Sequence, residues 1–427
     1  TSNNDDTTSP SMKPVYARSI LSSAQAGAGG PFTGVFAVNL GATPEQMGLY
    51  TAFLHLAANA FQVLWGALSD RLGRRVPLIV IGGIASSLLW IPILATRNVN
   101  QFMGLAWTQS FLGSMTTPTW AALIGDVVPV AARGILVSSI NFWSSAGTLA
   151  ATTFAGAFSM LTVDGSLETY QIPFLMAAAL GLAACLAALP IREAGRKTRR
   201  PGLRPGLIQQ LKHVRRSTDL TRFLWINALS GFFMAISWPL FSITLVKVVN
   251  ASLFEVALAS VLQGVLALAV QRWTGTLLDK VGRLPVLAAG RASLVIVPLV
   301  YAFSGNMAAI ILFSALFSIP NTFINTAVLA YLIDVTDTEG RASYVALYNL
   351  VTGLSFFFGT LTGGFLVGYL EAFLGLMLAL QIVYVFSAGG RLLGGLYLST
   401  VKERSAYPSN LTAEIKNLGK DLLRRMS

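Results

Sequence analysis

Charge is scarce in this chain. Asp, Glu, Lys and Arg together supply 11% of its 427 residues, against 54% apolar residues and a mean hydropathy of +0.64. A soluble domain carries about 25% charged residues, so an ordinary soluble globular fold is excluded. Cysteine is nearly absent: Cys185 stands alone inside an apolar segment, and no disulfide framework can form. The two histidines, His55 and His213, are too few and too far apart to build a metal site with that cysteine. No Walker loop is present to bind ATP. Neither a cofactor nor a metal is expected, and neither an enzyme nor a primary pump. The 18 acidic residues all fall in termini, loops or helix ends. A carrier that couples to protons often uses a carboxylate whose pKa burial has raised, and a carrier of cations gains from one as counter-charge; neither is on offer here.

What the chain does have is apolar runs of the length that crosses a hydrocarbon core about 30 Å thick. Hydropathy and turn residues place twelve spans near 16–38, 45–68, 76–95, 102–125, 134–161, 172–190, 222–248, 254–278, 284–303, 307–333, 342–368 and 371–400. The expected fold is therefore an all-α polytopic membrane protein. The opening "TSNNDDTTSPSMKPVYARS" has no signal-peptide pattern, so the first span is expected to be retained. The one long polar connection, "IREAGRKTRRPGLRPGLIQQLKHVRRSTDLTR", holds ten Lys or Arg residues. Both termini and every second loop lie on its side, and the opposite loops carry little beyond Arg97 and Lys247. Positive residues collect on the cytoplasmic side, which puts both termini inside, with the plasma membrane the expected location. The net charge of +12 is then topological, with attraction to anionic lipid second, and nucleic acid is not an expected partner. Leu411, Ile415, Leu418 and Leu422 share one face of the tail, which suits either a surface helix or a frayed end.

Two short charged loops interrupt this pattern: "GALSDRLGRR" (66–75) and "GTLLDKVGRL" (275–284). At an offset of 209, Gly66, Asp70, Gly73 and Arg74 fall on Gly275, Asp279, Gly282 and Arg283. At 208, Asp126 and Arg133 fall on Asp334 and Arg341; at 210, Glu45 falls on Glu255. Three ordered matches within two residues of one offset imply duplication. Six spans per copy, an even number, make the copies parallel. The expected organisation is a tail (1–15), a six-helix bundle (16–190), a basic linker (191–221), a second bundle (222–400) and a second tail (401–427).

The first loop resembles the signature loop of the major facilitator superfamily (MFS), and the second its weaker copy; the similarity of plan covers residues 15–400. This resemblance implies the MFS fold and transport by rocking of two halves, in a chain expected to act as a monomer on a small-molecule substrate, with a proton or no coupling ion. It also implies a cytoplasmic gate of charges. In the first half these are Asp70, Arg71, Arg74 and Arg75, with Asp126 and Arg133. In the second they are Asp279, Lys280, Arg283, Asp334 and Arg341, a network expected to be weaker because Leu284 replaces the second Arg. The alternative reading of all these charges is that they anchor loops and fix topology. Gly66 and Gly73 are expected to permit close helix approach and a tight turn.

Polar side chains are expensive in lipid and tend to face a cavity or another helix. Gln25, Gln109, Asn321 and Asn325, with Trp120 and Trp238, are the midspan candidates for a cavity. His55 and Asn59 share a helix face, and Asn141, Gln263, Tyr344 and Tyr348 extend the set. An interhelical hydrogen bond is the competing reading for each. Pro118 and Pro320 are expected in mid-helix, each freeing a carbonyl. Arg18, Arg272, Arg291 and Arg391 lie within spans but near their inner ends, where snorkelling is expected; Arg18 and Arg272 are the pair that could face a vestibule and meet an anion. Without a midspan acid, an organic anion or a neutral solute is the expected cargo. Proton-coupled efflux of amphipathic compounds is the alternative, although the fifth span lacks the proline of the antiporter signature. A receptor or enzyme that transports nothing is the reading from a different class.

Overall fold

A computed structural model describes residues 12–128, 132–161, 167–191, 193, 218–335 and 341–401. The linker from 194 to 217 and the tail from 402 lie outside the described residues, as does the expected amphipathic face of the tail. Among the described residues every regular element is helical, and nine helical stretches are long and apolar enough to cross a membrane. By its internal contacts the chain divides into two compact units, Thr1–Phe36 with Phe61–Gly202, and Ala37–Ala60 with Leu203–Ser427.

The first unit holds α1 (Lys13–Asn39), α3 (Gln62–Leu72), α4 (Val76–Leu88), α5 (Trp90–Leu94), α6 (Val99–Gly113), α7 (Thr116–Val127), α8 (Arg133–Ser159) and α9 (Gln171–Ala188). Val15, Ile79, Leu123, Ile140, Ala188 and Ile191 form one core cluster. Phe36 makes edge-to-face contacts with Phe102, Tyr170 and Phe174 in another. The fourth span is not continuous. It breaks at Ser114, whose hydroxyl accepts from the Trp65 indole at 3.0 Å, and restarts at Thr116. Pro118 therefore sits in the first turn of α7, where its missing N–H costs nothing, rather than in mid-helix. Pro320 does lie inside its helix.

The second unit holds α2 (Pro44–Leu56), α10 (Thr218–Ile236), α11 (Trp238–Ile243), α12 (Leu253–Val281), α13 (Arg283–Ser293), α14 (Ile296–Phe303), α15 (Met307–Val335), α16 (Arg341–Leu374) and α17 (Leu376–Leu398). A π-helical turn, Ala57–Phe61, joins α2 to α3, and one division between the units falls inside it, while another falls after Phe36, so that the last three residues of α1 belong to the second unit. The helices α2 and α12 start alike. Thr43 and Gln46 form one capping box and Ser252 and Glu255 the other, each satisfying two backbone donors reciprocally. The duplicated register at this point is thus 209, with Gln46 rather than Glu45 over Glu255.

Small residues let α2 lie against α16. A Cβ on Gly48 would stand 3.0 Å from the Cα of Gly364, and one on Gly364 would stand 2.7 Å from the Cα of Gly48. The eleventh span runs further than expected, to Leu374, and breaks at Gly375, whose φ of +77° suits glycine alone. The charge of Glu371 is the misleading signal there, because the helix continues for another turn beyond it. Gly73, with φ +66°, makes the expected turn after α3. Gly66 does not serve close approach: a Cβ there would meet only the Pro118 Cβ at 3.8 Å.

Candidate functional site

A cavity of about 250 Å³ lies within the second unit, between α10, α13, α15, α16 and α17. Asn321, Asn325 and Tyr348 line it, as do Asn227, Ser230, Asn349, Thr352 and two arginines, Arg291 and Arg391. Among the described residues that line it there is no Asp or Glu. Asn227 organises one wall. Its Nδ2 donates to Thr352 Oγ1 at 2.9 Å, while its Oδ1 accepts from Arg291 Nη2 and, at 3.3 Å, from the Tyr348 hydroxyl. Arg391 donates to the carbonyls of Leu294 at 3.0 Å and Met234 at 2.8 Å and to Ser237 Oγ.

Arg391 overturns the snorkelling expectation. Arg391 is only 5% exposed, and Met234, whose carbonyl it reaches, is the middle residue of the span Leu220–Val248. The guanidinium is directed toward the middle of that span, away from the nearer end of its own helix at Leu398. The sequence carries a signal for this in "SAGGRLLGG". Ser387, Ala388, Gly390, Gly394 and Gly395 share the buried face of α17 with Arg391. That small-residue face brings backbones close and submerges the arginine. Asn227 and Ser230 carry no such signal, since both lie in an otherwise apolar span.

His55 stands at the end of α2, against the Trp238 ring at 4.6 Å and the Phe356 ring at 5.3 Å between centroids. Phe356 also lines the cavity. Asn59 lies in the π-helical turn, where its Nδ2 donates to the His55 carbonyl at 2.8 Å and its side chain covers Gly353. Gln263 and Tyr344 are half-buried, with Tyr344 against the apolar core of the unit. Arg272 is exposed and stacked on its own neighbour Trp273.

In the first unit the polar candidates are engaged within the helix packing. Gln25 donates to Ser87 Oγ at 3.3 Å, and Gln109 to the Ser86 carbonyl at 3.1 Å. Arg18 is buried and lies over the Trp120 ring at 4.0 Å, a cation–π contact. Asn141 is exposed.

The loop charges pair in a register of their own. Arg75 Nε meets Asp126 at 2.9 Å, and Arg283 Nε meets Asp334 at 3.0 Å. Both partners in the second pair lie 208 positions after those in the first, so Arg283 corresponds to Arg75 rather than to Arg74. The second copy is consequently not impoverished: Arg283 also meets Asp279 at 3.1 Å and donates to the Leu278 carbonyl at 2.6 Å. Arg71, Arg74 and Lys280 are exposed. The side chains of Asp70, Arg133 and Arg341 lie outside the described residues.

Glu193 is an addition that the sequence did not single out. Its carboxylate accepts from the backbone N–H of Arg75 at 2.9 and 3.0 Å and from that of Val76, which begins α4. A carboxylate in this place satisfies otherwise orphaned donors and complements the helix dipole. Glu193→Ala is expected to lower the stability of the folded chain by about 1–2 kcal/mol, read as a drop in thermal midpoint in detergent. Glu193→Ala melting with the parent chain would reduce the contact to an incidental one.

The family model described as Major Facilitator Superfamily matches residues 18–237 and again 223–424. Solved structures share the fold. A variant of the nucleoside transporter NupG superposes with a TM-score of 0.75 at 12% identity, over 91% of this chain and 99% of that one. The D-xylose-proton symporter does so with 0.68 at 17%, over 92% and 97%. In sequence, the multi-drug resistance efflux pump PmrA of Streptococcus pneumoniae is 26% identical over 132 residues, which is 30% of this chain and 32% of the pump. The match therefore spans about a third of that relative's length. With the family model matched across both halves, the twelve-span all-helical plan and the paired charge loops have one origin: this integral membrane chain belongs to the Major Facilitator Superfamily.

Proposed function

We propose that this chain is a secondary transporter of a small organic solute, an anion or neutral molecule in preference to a cation. It works by alternating access, as a monomer in the plasma membrane with both termini in the cytoplasm, driven by a proton or by the solute gradient alone. One observation carries the reading. The cavity of the second unit mixes amides, hydroxyls and two guanidinium groups with apolar walls, and among the described residues its lining has no carboxylate. A few convergent polar groups in an apolar pocket are what a solute site needs, and the charge balance disfavours cations. The pairs Arg75–Asp126 and Arg283–Asp334 supply contacts that one state can hold and the other release. The sequence boundaries at 190 and 222 belong to the same proposal, as the limits of the two moving halves.

The partial likeness to a multidrug pump supports a second reading, efflux of amphipathic compounds. Counterflow in proteoliposomes separates the two. The expected result is accumulation of labelled organic anions or neutral solutes against preloaded unlabelled solute, with lipophilic cations excluded. Preferential exchange of lipophilic cations would favour efflux and refute the charge argument.

A further inference from the structure

We infer that the cavity of the second unit seats the anionic group of the transported solute, a carboxylate, against Arg291 and Arg391. The inference rests on the transport reading above and deepens it by naming the substrate class.

Among the described residues, Arg291 Nη1, Arg391 Nε and Ser230 Oγ are all buried without a hydrogen-bond partner, and all three residues line the same cavity. A buried donor without a partner is costly, and a buried charge more so. Among the described residues the acceptors of Arg291 and Arg391 are neutral: the Asn227 amide, two backbone carbonyls and the Ser237 hydroxyl. Neutral acceptors fix the direction of a guanidinium but leave its charge uncompensated. Two like charges lining one cavity disfavour each other, and among the described lining residues there is no acid to offset either.

A helix tie alone would explain the bonds of Arg391. It would not explain a second arginine in the same cavity, held by an amide that Tyr348 and Thr352 orient from the other side. That arrangement commits one terminal nitrogen of Arg291 to Asn227 and leaves the other without a partner. A guanidinium offers planar, forked donors that match a carboxylate. The volume of about 250 Å³ lies just under the range of about 300–1,000 Å³ for small-molecule pockets, which suits a small solute carrying such a group.

The test uses the purified full chain in phosphatidylcholine nanodiscs. Thermal unfolding is followed with benzoate, hydrocinnamate and succinate, each paired with its amide. The carboxylates are expected to raise the midpoint saturably and the amides to leave it in place. Arg291→Gln should weaken the apparent carboxylate affinity by about tenfold or more, the loss of one charge-assisted contact. Arg291→Lys should recover only part of it, since an ammonium lacks the fork. Ser230→Ala breaks no existing bond, so it keeps the test sound if Arg291→Gln fails to fold. It should weaken the same affinity by about threefold.

Equal stabilisation by the amides, or a carboxylate response indifferent to Arg291 and Ser230, would overturn the inference while counterflow still upheld transport. Absence of any carboxylate response would overturn it too, and absence of counterflow for every solute class would remove the transport reading as well. In a second arm phosphatidylglycerol replaces part of the lipid. A stabilisation by that lipid that depends on Arg291, and that carboxylates cannot compete away, would make the anion a lipid headgroup and refute the solute seat.

Discussion

Gly364→Leu is expected to abolish counterflow while leaving the protein folded. The reason is local and geometric. In α16 the Cα of Gly364 faces Gly48 of α2 so closely that a Cβ would stand 2.5 Å from the Pro44 carbonyl oxygen and 2.7 Å from the Gly48 Cα. Both obstacles are backbone and cannot rotate away, so a leucine must push α2 off α16. Glu45 packs over Gly368 one turn further along, so the contact is a continuous small-residue face. With α2 and α16 in different moving halves, as proposed above, a carrier whose cycle makes and breaks this contact would be held in the broken arrangement. Labels at Leu49 and Phe365, which are 37% and 50% exposed, would report the separation of the two helices. Only Cys185 has to be removed to place them. The expected outcome is loss of counterflow together with a longer and broader distance distribution. Gly104→Leu serves as control, since nothing lies within 4 Å of a Cβ at that position, and it should be silent. Normal counterflow with an unchanged distance in Gly364→Leu would show that the contact is not part of the cycle.

The legible parts of the molecule were those written along the chain axis. Span limits follow from hydropathy, and most helix ends agree with expectation to within a few residues because polar loops and caps punctuate them. The charge loops were legible too, but their pairing was not. Arg74 aligns with Arg283 when the glycines are matched, yet Arg75 is the residue that reaches Asp126, because pairing depends on which side chain faces the neighbouring helix. What runs around the helix axis was harder to read. Gln25 and Gln109 look alike in an apolar run, whether they face a cavity or a serine of α4; their partners Ser86 and Ser87 settle that only in three dimensions. Depth along the span suggests snorkelling for Arg391, but the azimuth decides where its guanidinium goes. Glu193 stands in a linker that reads as merely basic, and its role depends on the fold bringing it to the start of α4.

Gly390→Leu is expected to be the most damaging single substitution in α17, and its rescue would test why Arg391 is buried at all. A Cβ on Gly390 would fall within the Phe233 ring, and one on Gly394 would strike Ser230. Gly395 lies against the backbone of α13, where a Cβ would stand 2.9 Å from Ala292 N. Helix α17 is therefore seated on α10 and α13 by missing side chains, and that seating carries Arg391 to the Met234 and Leu294 carbonyls. Overpacking a filled site costs about 1–3 kcal/mol or more. Here a displaced α17 would also strip a buried guanidinium of its acceptors, for which about 3–5 kcal/mol is the usual scale. Little folded protein should survive purification from Gly390→Leu, and its thermal midpoint should fall by many degrees. The pair Gly390→Leu with Phe233→Ala empties the volume that the leucine needs. If the seating argument holds, this double variant should regain much of the lost stability, a large coupling between two residues in contact. Carboxylate-dependent stabilisation should return with it, because Arg391 would again reach the cavity. A double variant no better than Gly390→Leu alone would mean that glycine is needed at this position for the helix itself, and that the burial of Arg391 has another cause.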